Sequence, residues 1–533
     1  MIFSFLRYLL KRFDLFSARC LGTMPVSLRR RSRKVRPFFD EPWYRREYSS
    51  DRGAVRNPLA HYLACGWKRG NQPHRHFDVH WYLSTYRDVA SSGAEPFEHF
   101  LVYGWREGRA PNAEVAKDPS LRAHDLSAMF PVPGGGEGGS RSRGQAHELM
   151  NRVAALKRVS QYKPQTPRTK LRPPRPDRLR IAWVIPDFQK GAGGHMNIFR
   201  MSHYLEQFGH EVEIFIQHPS HHRTGRDARK TINDHFIPFS GRVELFSTTA
   251  PRSEGDALIA TDRYTCFPVD AMSGFHRKFY FVQDLETLFY PAGSEALLSE
   301  QTYAMDFDCL CNGEWLERIM RERYGRWACA WWQAFDSRCY HPGDPAPDRG
   351  SAELPRIAFY ARYVTPRRAV ELGMIALEML HQRGLRFHVD FFGWPLGDLD
   401  VPYSHRDHGI ASPQALGDLY RKATIGMVFS ATNHSLINKE MMACGLPVID
   451  LDVESVRAIF PADALFAARP DPEGIATALA QLLTSPDRRR SIRERALRFV
   501  ENRTWEQSAR VVERALRERV GAEVALEESE CAR

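Results

Sequence analysis

Residues 179–216 read LRIAWVIPDFQKGAGGHMNIFRMSHYLEQFGHEVEIFI. The first eight residues are a short, nearly continuous apolar run, the pattern of a strand buried on both faces of a parallel sheet. EVEIFI is a second such run, and a Gly-rich turn and a helical segment lie between them. Strand, turn, helix and strand make a βαβ unit. Gly191, Gly193 and Gly194 open the helix. Without side chains they let an anionic ligand approach the amides at a helix N-terminus, where the dipole favours negative charge. A merely tight turn uses the same residue types.

The alternation continues downstream. ALIATD (257–262), KFYFVQD (278–284) and DCLCN (308–312) read as further strands, each followed by helix-like sequence. A second series starts at PRIAFYARYV (355–364) and runs through the helix RRAVELGMIALEMLHQRG and the strand FHVDFFG (387–393). The helix LGDLYRKA (416–423) and the strand TIGMVFS (424–430) lead into TNHSLINKEMMACGLPVIDLD. Two βα series predict two facing Rossmann-like domains, with a two-substrate cleft between the carboxyl ends of their sheets.

Upstream, residues 39–73 and 77–111 repeat at a constant offset of 38. The copies read FDEPWYRREY…NPLAHYLACGWKRGNQP and FDVHWYLSTY…EPFEHFLVYGWREGRAP. Each predicts two short helices, the first capped by Asp40 or Asp78, the second ending at a Gly-Trp turn. The aromatics suit a contact between copies, or a platform for sugar or a partner. His61 and His99, one per copy without carboxylate neighbours, read as core or capping residues.

The 533 residues carry a formal net charge of +11. Residues 1–36 and 151–180 hold +9 each, so the rest of the chain is at −7. An acidic remainder without a basic-aromatic platform argues against a nucleic-acid binder. Residues 1–16, MIFSFLRYLLKRFDLF, place apolar side chains at helical spacing with charges between them. With the basic run that follows, this suits a helix lying on an anionic membrane surface, or one docked on the protein itself. No run of about 18 apolar residues suggests a transmembrane helix. Nine scattered cysteines without a CxxC pair read as reduced thiols rather than a disulfide framework or zinc site. GGGEGGSRSRG (134–144) reads as flexible, 145–160 as one helix, and the prolines at 164–176 as extended chain.

Four stretches carry a family resemblance: IPDFQKGAGGHMNIFR (185–200), FVQDLETLFYPAGSEALLSEQTY (281–303), FDSRCYHPGD (335–344) and FSATNHSLINKEMMACGLPVID (429–450). TWEQSARVVERAL (504–516) adds to them. The chain resembles GT-B glycosyltransferases of the large retaining family, closest to rhamnosyltransferases of surface rhamnan-type glycans. That implies an α/β fold of two Rossmann-like domains preceded here by a small helical repeat region. The expected organisation is a basic amphipathic segment 1–36, repeats 37–111, a basic linker 112–177, an acceptor-side domain 178–345 and a nucleotide-sugar domain 346–500. A helix at 501–518 would cross back onto the N-terminal domain, leaving a tail at 519–533. The 38-residue copies resemble short aromatic repeats attached to bacterial polysaccharide-assembly proteins.

The implied activity is metal-independent, retaining transfer of a sugar, rhamnose or another hexose, from a nucleotide-sugar to a growing surface polysaccharide or lipid-linked glycan. No cofactor is expected. The leaving diphosphate needs cations or helix N-termini. Arg362, at the end of the first strand of the second half, is the first candidate, Arg367 or Arg368 the second, and Lys422 the third. Glu440 matches the second glutamate of the family's paired motif, which typically holds the nucleotide ribose. Thr432 stands where the first glutamate would be, and Asn433 and Ser435 beside it are candidate sugar contacts. Asp284 and Glu286, after KFYFVQD, could hold the acceptor or form an ionised surface pair. The pairs Asp306/Asp308, Asp398/Asp400 and Asp450/Asp452 mimic a DxD metal motif and are discounted as chance matches, so no metal site is expected. The implied location is cytoplasmic, on the inner face of the membrane through residues 1–36. The alternative is a glycan-binding or scaffolding protein that keeps the fold without catalysis.

Overall fold

The run that opens the α/β pattern becomes an inner strand, third from one edge, of a seven-stranded sheet. The structure, a computed structural model, describes residues 32, 34–105, 107–118, 126–130, 139–167, 171–175, 177–343 and 354–531. It divides into two compact units, Met1–Ala155 and Leu156–Arg533. The amphipathic segment 1–16 and most of the basic run after it lie outside the described residues. Among the described residues no helix is long and apolar enough to cross a membrane.

In the second unit, β1 (Arg180–Pro186), β2 (Glu211–Gln217), β3 (Arg242–Phe246), β4 (Gly255–Ala260), β5 (Phe275–Val282), β6 (Asp308–Asn312) and β7 (Ala328–Trp331) pair in the order β3-β2-β1-β4-β5-β6-β7. Every pairing is parallel. A second parallel sheet holds β8 (Arg356–Tyr360), β9 (His388–Phe392), β10 (Ser404–Asp407), β11 (Ile425–Met427), β12 (Val448–Leu451) and β13 (Phe466–Ala468), in the order β10-β9-β8-β11-β12-β13. Chain direction across each sheet reverses beside its first strand, β1/β4 and β8/β11. These switch points are where ligands bind in such folds. β3, β7, β10 and β13 were not among the strands expected.

Both sheets are apolar on two faces. Trp183 of β1 meets Phe281 of β5 edge-on, and Phe281 stacks on Trp331 of β7 at 4.5 Å. The helix Trp505–Cys531 belongs to this first core, with Trp505, Ala509, Val512 and Leu516 buried in it. Polar anchors hold that helix as well: His210 Nε2 lies 3.1 Å from Glu513, Ser508 Oγ donates to Trp332 O at 2.6 Å, and Arg519 reaches Asp308 at 2.8 Å. The second core centres on Phe359, Phe391 and Phe429, which touch ring to ring. The chain ahead of β1 is pinned rather than loose: Gln165 bonds Ala271, Ala250 and Pro251 backbone groups, and the Tyr162 hydroxyl donates to Ser247 O. The helix before it spans Gly139–Ser160, so 139–144, read as flexible chain, are helical.

In the first unit each 38-residue copy has three short helices, not two. They are Glu41–Glu47, Arg52–Arg56 and Pro58–His61 in one copy, and Val79–Thr85, Arg87–Ser92 and Pro96–His99 in the other. A wider π-type turn follows each set, Tyr62–Gly66 and Phe100–Gly104. Asp40 and Asp78 cap the first helices through the amides of Trp43 and Trp81. One lock recurs. The Tyr44 hydroxyl sits 3.0 Å from His61 Nδ1, and the Tyr82 hydroxyl 3.2 Å from His99 Nδ1. A Cβ on Gly66 or Gly104 would stand 2.3 Å from that hydroxyl, which is why both turns carry glycine. Both histidines serve this internal packing. Phe39 and Phe77 are buried, and the Tyr62 hydroxyl of the first copy donates to Glu95 of the second at 2.5 Å.

Candidate functional site

The site lies where the carboxyl ends of β8, β9 and β11 meet the ends of β5 and β6. After β8 the chain turns through Arg362 into a short 3-10 turn, Pro366–Arg368, and Ala369 takes a left-handed conformation with φ 42°. This tight entry sets the arginines ahead of the helix Val370–Gln382. Arg362 lies over the Trp394 ring at 5.0 Å and donates from Nε to Thr365 Oγ1 at 3.2 Å. Arg367 lies over Phe289 at 4.5 Å, with Nε 3.6 Å from Asp284. Arg368 donates to Phe429 O at 3.3 Å and to Ser430 Oγ. It forms no ion pair among the described residues, and its Nε is buried without an acceptor. Burial pulls its pKa down. A half-buried cation without an ion-pair partner favours a ligand that supplies the anion.

The loop 430–435 connects β11 to the helix Leu436–Ala443, which Ser435 caps by accepting from Ile437 N at 3.3 Å. Asp450 of β12 supports the loop from below, accepting from Ser430 N at 3.0 Å and Asn438 Nδ2 at 2.7 Å. Burial pushes Asp450 up to about 7. Its carboxylate is a scaffold for the loop. Asp308, from another of the DxD-like pairs, is taken by Arg277 and Arg519.

The loop is tied to the first half. Thr432 Oγ1 donates to Asp284 Oδ2 at 2.9 Å, and Asn433 N donates to Asp284 Oδ1 at 3.0 Å. Asn433 Nδ2 donates to Gln283 O at 2.9 Å and Asn312 O at 3.0 Å. Behind it, Asn433 Oδ1 accepts from His434 Nδ1 at 3.0 Å, and His434 Nε2 lies 3.1 Å from Lys439 Nζ. Asp284 and Glu286 are both buried, so they are not an ionised surface pair. Glu286 accepts from Arg263 N at 3.0 Å and from the Tyr280 hydroxyl at 3.1 Å. Burial, reinforced by Asp262, pushes it up to about 8. Both oxygens of Glu286 therefore face the interior of the first half.

Glu440 lies inside the helix rather than at its first turn, with Oε2 buried and unpartnered. Burial raises it to about 7, against the opposing pull of the Arg200 guanidinium and the Tyr340 hydroxyl. Arg200 comes from the helix Gly193–Gln207 that the Gly-rich loop opens, so the two halves meet here as well. Gly191, Gly193 and Gly194 are exposed, and Gly191 takes φ 83°. A Cβ on Gly194 would come 3.5 Å from Gln283, whose Oε1 accepts from Asn197 Nδ2 at 2.9 Å.

The structure thus gathers Gly194, Asp284, Arg362, Arg367, Thr432, Asn433, Ser435 and Glu440 around the cleft. It separates Lys422 from them. Lys422 ends the helix Pro413–Lys422 that feeds the start of β11. It lines a cavity of ≈ 850 Å³ with Arg356 and His388, the first residues of β8 and β9. That is the amino-terminal edge of the sheet, away from the carboxyl ends where Arg362 sits, so Lys422 is corrected out of the donor set. Arg200, Gln283, Asn312 and Tyr340 were not singled out from sequence. Tyr340 lies inside the quoted stretch FDSRCYHPGD (335–344), whereas Arg200 gives no local signal.

Comparison with known proteins follows the same halves. Residues 372–514 match the family described as Glycosyl transferase-like. Over 233 residues the chain is 31% identical to the O-antigen biosynthesis protein RfbC of Myxococcus xanthus, covering 43% of this chain and 18% of that protein. Sucrose-phosphate synthase from Thermosynechococcus elongatus superposes with a TM-score of 0.51 at 14% identity, over 64% of this chain and 99% of that one. The fold is GT-B. The arginine cluster and the loop 430–435 therefore stand in the GT-B interdomain cleft, and the matched segment 372–514 begins just after the arginines.

Proposed function

We propose that this chain is a glycosyltransferase that moves a sugar from a nucleotide-sugar to a growing surface polysaccharide or lipid-linked glycan. The observation that carries the reading is Arg368, half-buried, with its Nε buried and no ion-pair partner among the described residues, beside Arg367 at the carboxyl ends of β8 and β11. A departing nucleoside diphosphate supplies the missing negative charge. Guanidinium groups bind its oxygens in fork geometry and strengthen their hold as charge develops on the leaving oxygen. In this reading cationic side chains, not a metal, neutralise the diphosphate.

Glu440 accepts from the ribose hydroxyls in its ionised form, which Arg200 favours. The exposed backbone at Gly191, Gly193 and Gly194, at the start of the helix Gly193–Gln207, binds the donor's anionic part. The donor sugar is a rhamnose or another hexose, and its anomeric configuration is retained, both as the resemblance implies; Asn433 and Ser435 shape the loop beside it rather than offering free polar groups. The similarity to an O-antigen biosynthesis protein supports a surface glycan as product. The basic segment 1–36 would hold the enzyme to the anionic inner face of the membrane.

The test is nucleoside diphosphate release from dTDP-, UDP- and GDP-sugars with a rhamnose-terminated acceptor. Turnover by the wild type and its sharp loss in Arg368→Gln support the proposal, and equal rates reject the site. One observation favours the inactive, glycan-binding alternative: Thr432 and Asn433 spend their polar groups on Asp284, Gln283 and Asn312 rather than facing open space. Tight glycan binding with no release from any donor would select that alternative.

A further inference from the structure

Away from the arginine cluster, the helix Trp505–Cys531 forms one wall of a second cavity of ≈ 540 Å³. Gln507, Arg510 and Arg514 line it from one face of that helix, and Arg503 from just before it. The opposite wall is Trp332, directly after β7, and Glu314, which opens the helix Glu314–Glu322 after β6.

Donors far outnumber acceptors here. The guanidinium groups of Arg503 and Arg514 make no hydrogen bond or ion pair among the described residues. Arg503 is held flat instead, 5.7 Å over the Trp332 ring and 4.4 Å over Phe499. Trp332 Nε1 is buried with no acceptor among the described residues. Arg510 is half-exposed and pairs with Glu513 at 2.9 Å. Glu314 is the one carboxylate in the wall among the described residues. The positive excess reaches inward: buried Lys439 is pushed down to about 7, by burial first and then by Arg503, with Glu314 opposing. Two guanidinium groups without an ion-pair partner among the described residues line one space, and the indole of Trp332, whose N–H is buried without an acceptor, forms part of its wall; together they suit a ligand rich in anionic acceptors.

We propose that this cavity is a binding site for a phosphate-bearing ligand, separate from the donor cluster around Arg368. The oxyanion would accept from Trp332 Nε1 and from the Arg503 and Arg514 forks, with Gln507 and Arg510 at the rim. The chemistry is shared by a soluble or glycan-linked diphosphate and by a phospholipid headgroup. The proposal does not depend on the catalytic reading.

The full chain with ¹⁵N-labelled tryptophan tests it. The Trp332 indole resonance is assigned by its loss in Trp332→Phe, then followed during titration with inorganic pyrophosphate, soluble short-chain phosphatidylglycerol, or phosphatidylcholine of the same chain length. The expected result is a shift of that resonance, with affinity weakened about tenfold or more in Arg503→Gln and again in Arg514→Gln. Arg368→Gln should leave the Trp332 titration unchanged. Movement with pyrophosphate assigns a diphosphate, and movement with phosphatidylglycerol alone assigns a lipid headgroup. No movement with either, or an equal shift in an Arg503→Gln/Arg514→Gln variant whose other indole resonances stay in place, overturns the proposal.

Discussion

Thr432 Oγ1 donates a hydrogen bond to Asp284 Oδ2 at 2.9 Å, joining the two halves of the GT-B fold across their cleft. Thr432 occupies the position where the resembled family carries a glutamate. A carboxylate there would meet the buried Asp284 as a like charge. A hydroxyl donor suits the neighbour that this chain has.

Exchanging the donor for a carboxylate tests that pairing. Thr432→Glu should lower stability by about 2 kcal/mol or more through like-charge burial, and Asp284→Asn should restore part of it in the double variant. Urea unfolding of the two single variants and the double variant reads the coupling. Purely additive effects would mean that the two positions do not communicate.

Arg368 and Lys422 should behave oppositely. Arg368→Gln should reduce nucleoside diphosphate release about 100-fold or more, the scale of losing one transition-state donor. Lys422→Gln should leave turnover near wild type, because the residue sits at the amino-terminal edge of its sheet. Steady-state rates with one donor check both, and a large loss in Lys422→Gln would return that residue to the site.

Glu440 and Lys439 are sequence neighbours with opposite linkage. Glu440 is raised to about 7, so the folded state holds its proton while the unfolded chain has released it. Its contribution to stability is therefore lost as pH rises from about 4.5 to about 7. Lys439 is lowered to about 7, so the unfolded chain holds the extra proton, and stability is gained as pH rises from about 7 to about 10. Glu440→Gln should thus gain on the wild type between pH 5 and 7, and Lys439→Met should lose its advantage between pH 7 and 10. Denaturant midpoints across pH measure both slopes.

The repeat unit has its own test. Gly104→Ala should cost about 1–3 kcal/mol by driving a methyl into the Tyr82 hydroxyl. Gly93→Ala meets no atom within 4 Å, so its cost should be the smaller one of a left-handed backbone. Thermal unfolding that ranks the two variants the other way would exclude the hydroxyl lock.

The legible parts of this chain are those whose signals are local. LRIAWVIP and EVEIFI are apolar on both faces and could be read as central strands directly. β3 and β10, RVELF and SHRD, are edge strands with exposed polar side chains, so their composition resembles loop. Arg362 was readable because a strand end places it, whereas Lys422 looked equivalent until the direction of its helix was known. Asp284 and Thr432 are 148 residues apart, and no local pattern marks them as partners. Arg200 is similar: it looks like any helical arginine, and only packing sets it near Glu440.

The recurring Tyr–His–Gly lock in the repeat unit makes each 38-residue copy self-checking. Tyrosine, histidine and glycine of one lock all come from the same copy, so gaining or losing a copy leaves the remaining locks intact. A single-residue insertion between Tyr44 and His61 has no such tolerance. Such a module changes length in whole steps, which gives evolution a ruler with one fixed graduation.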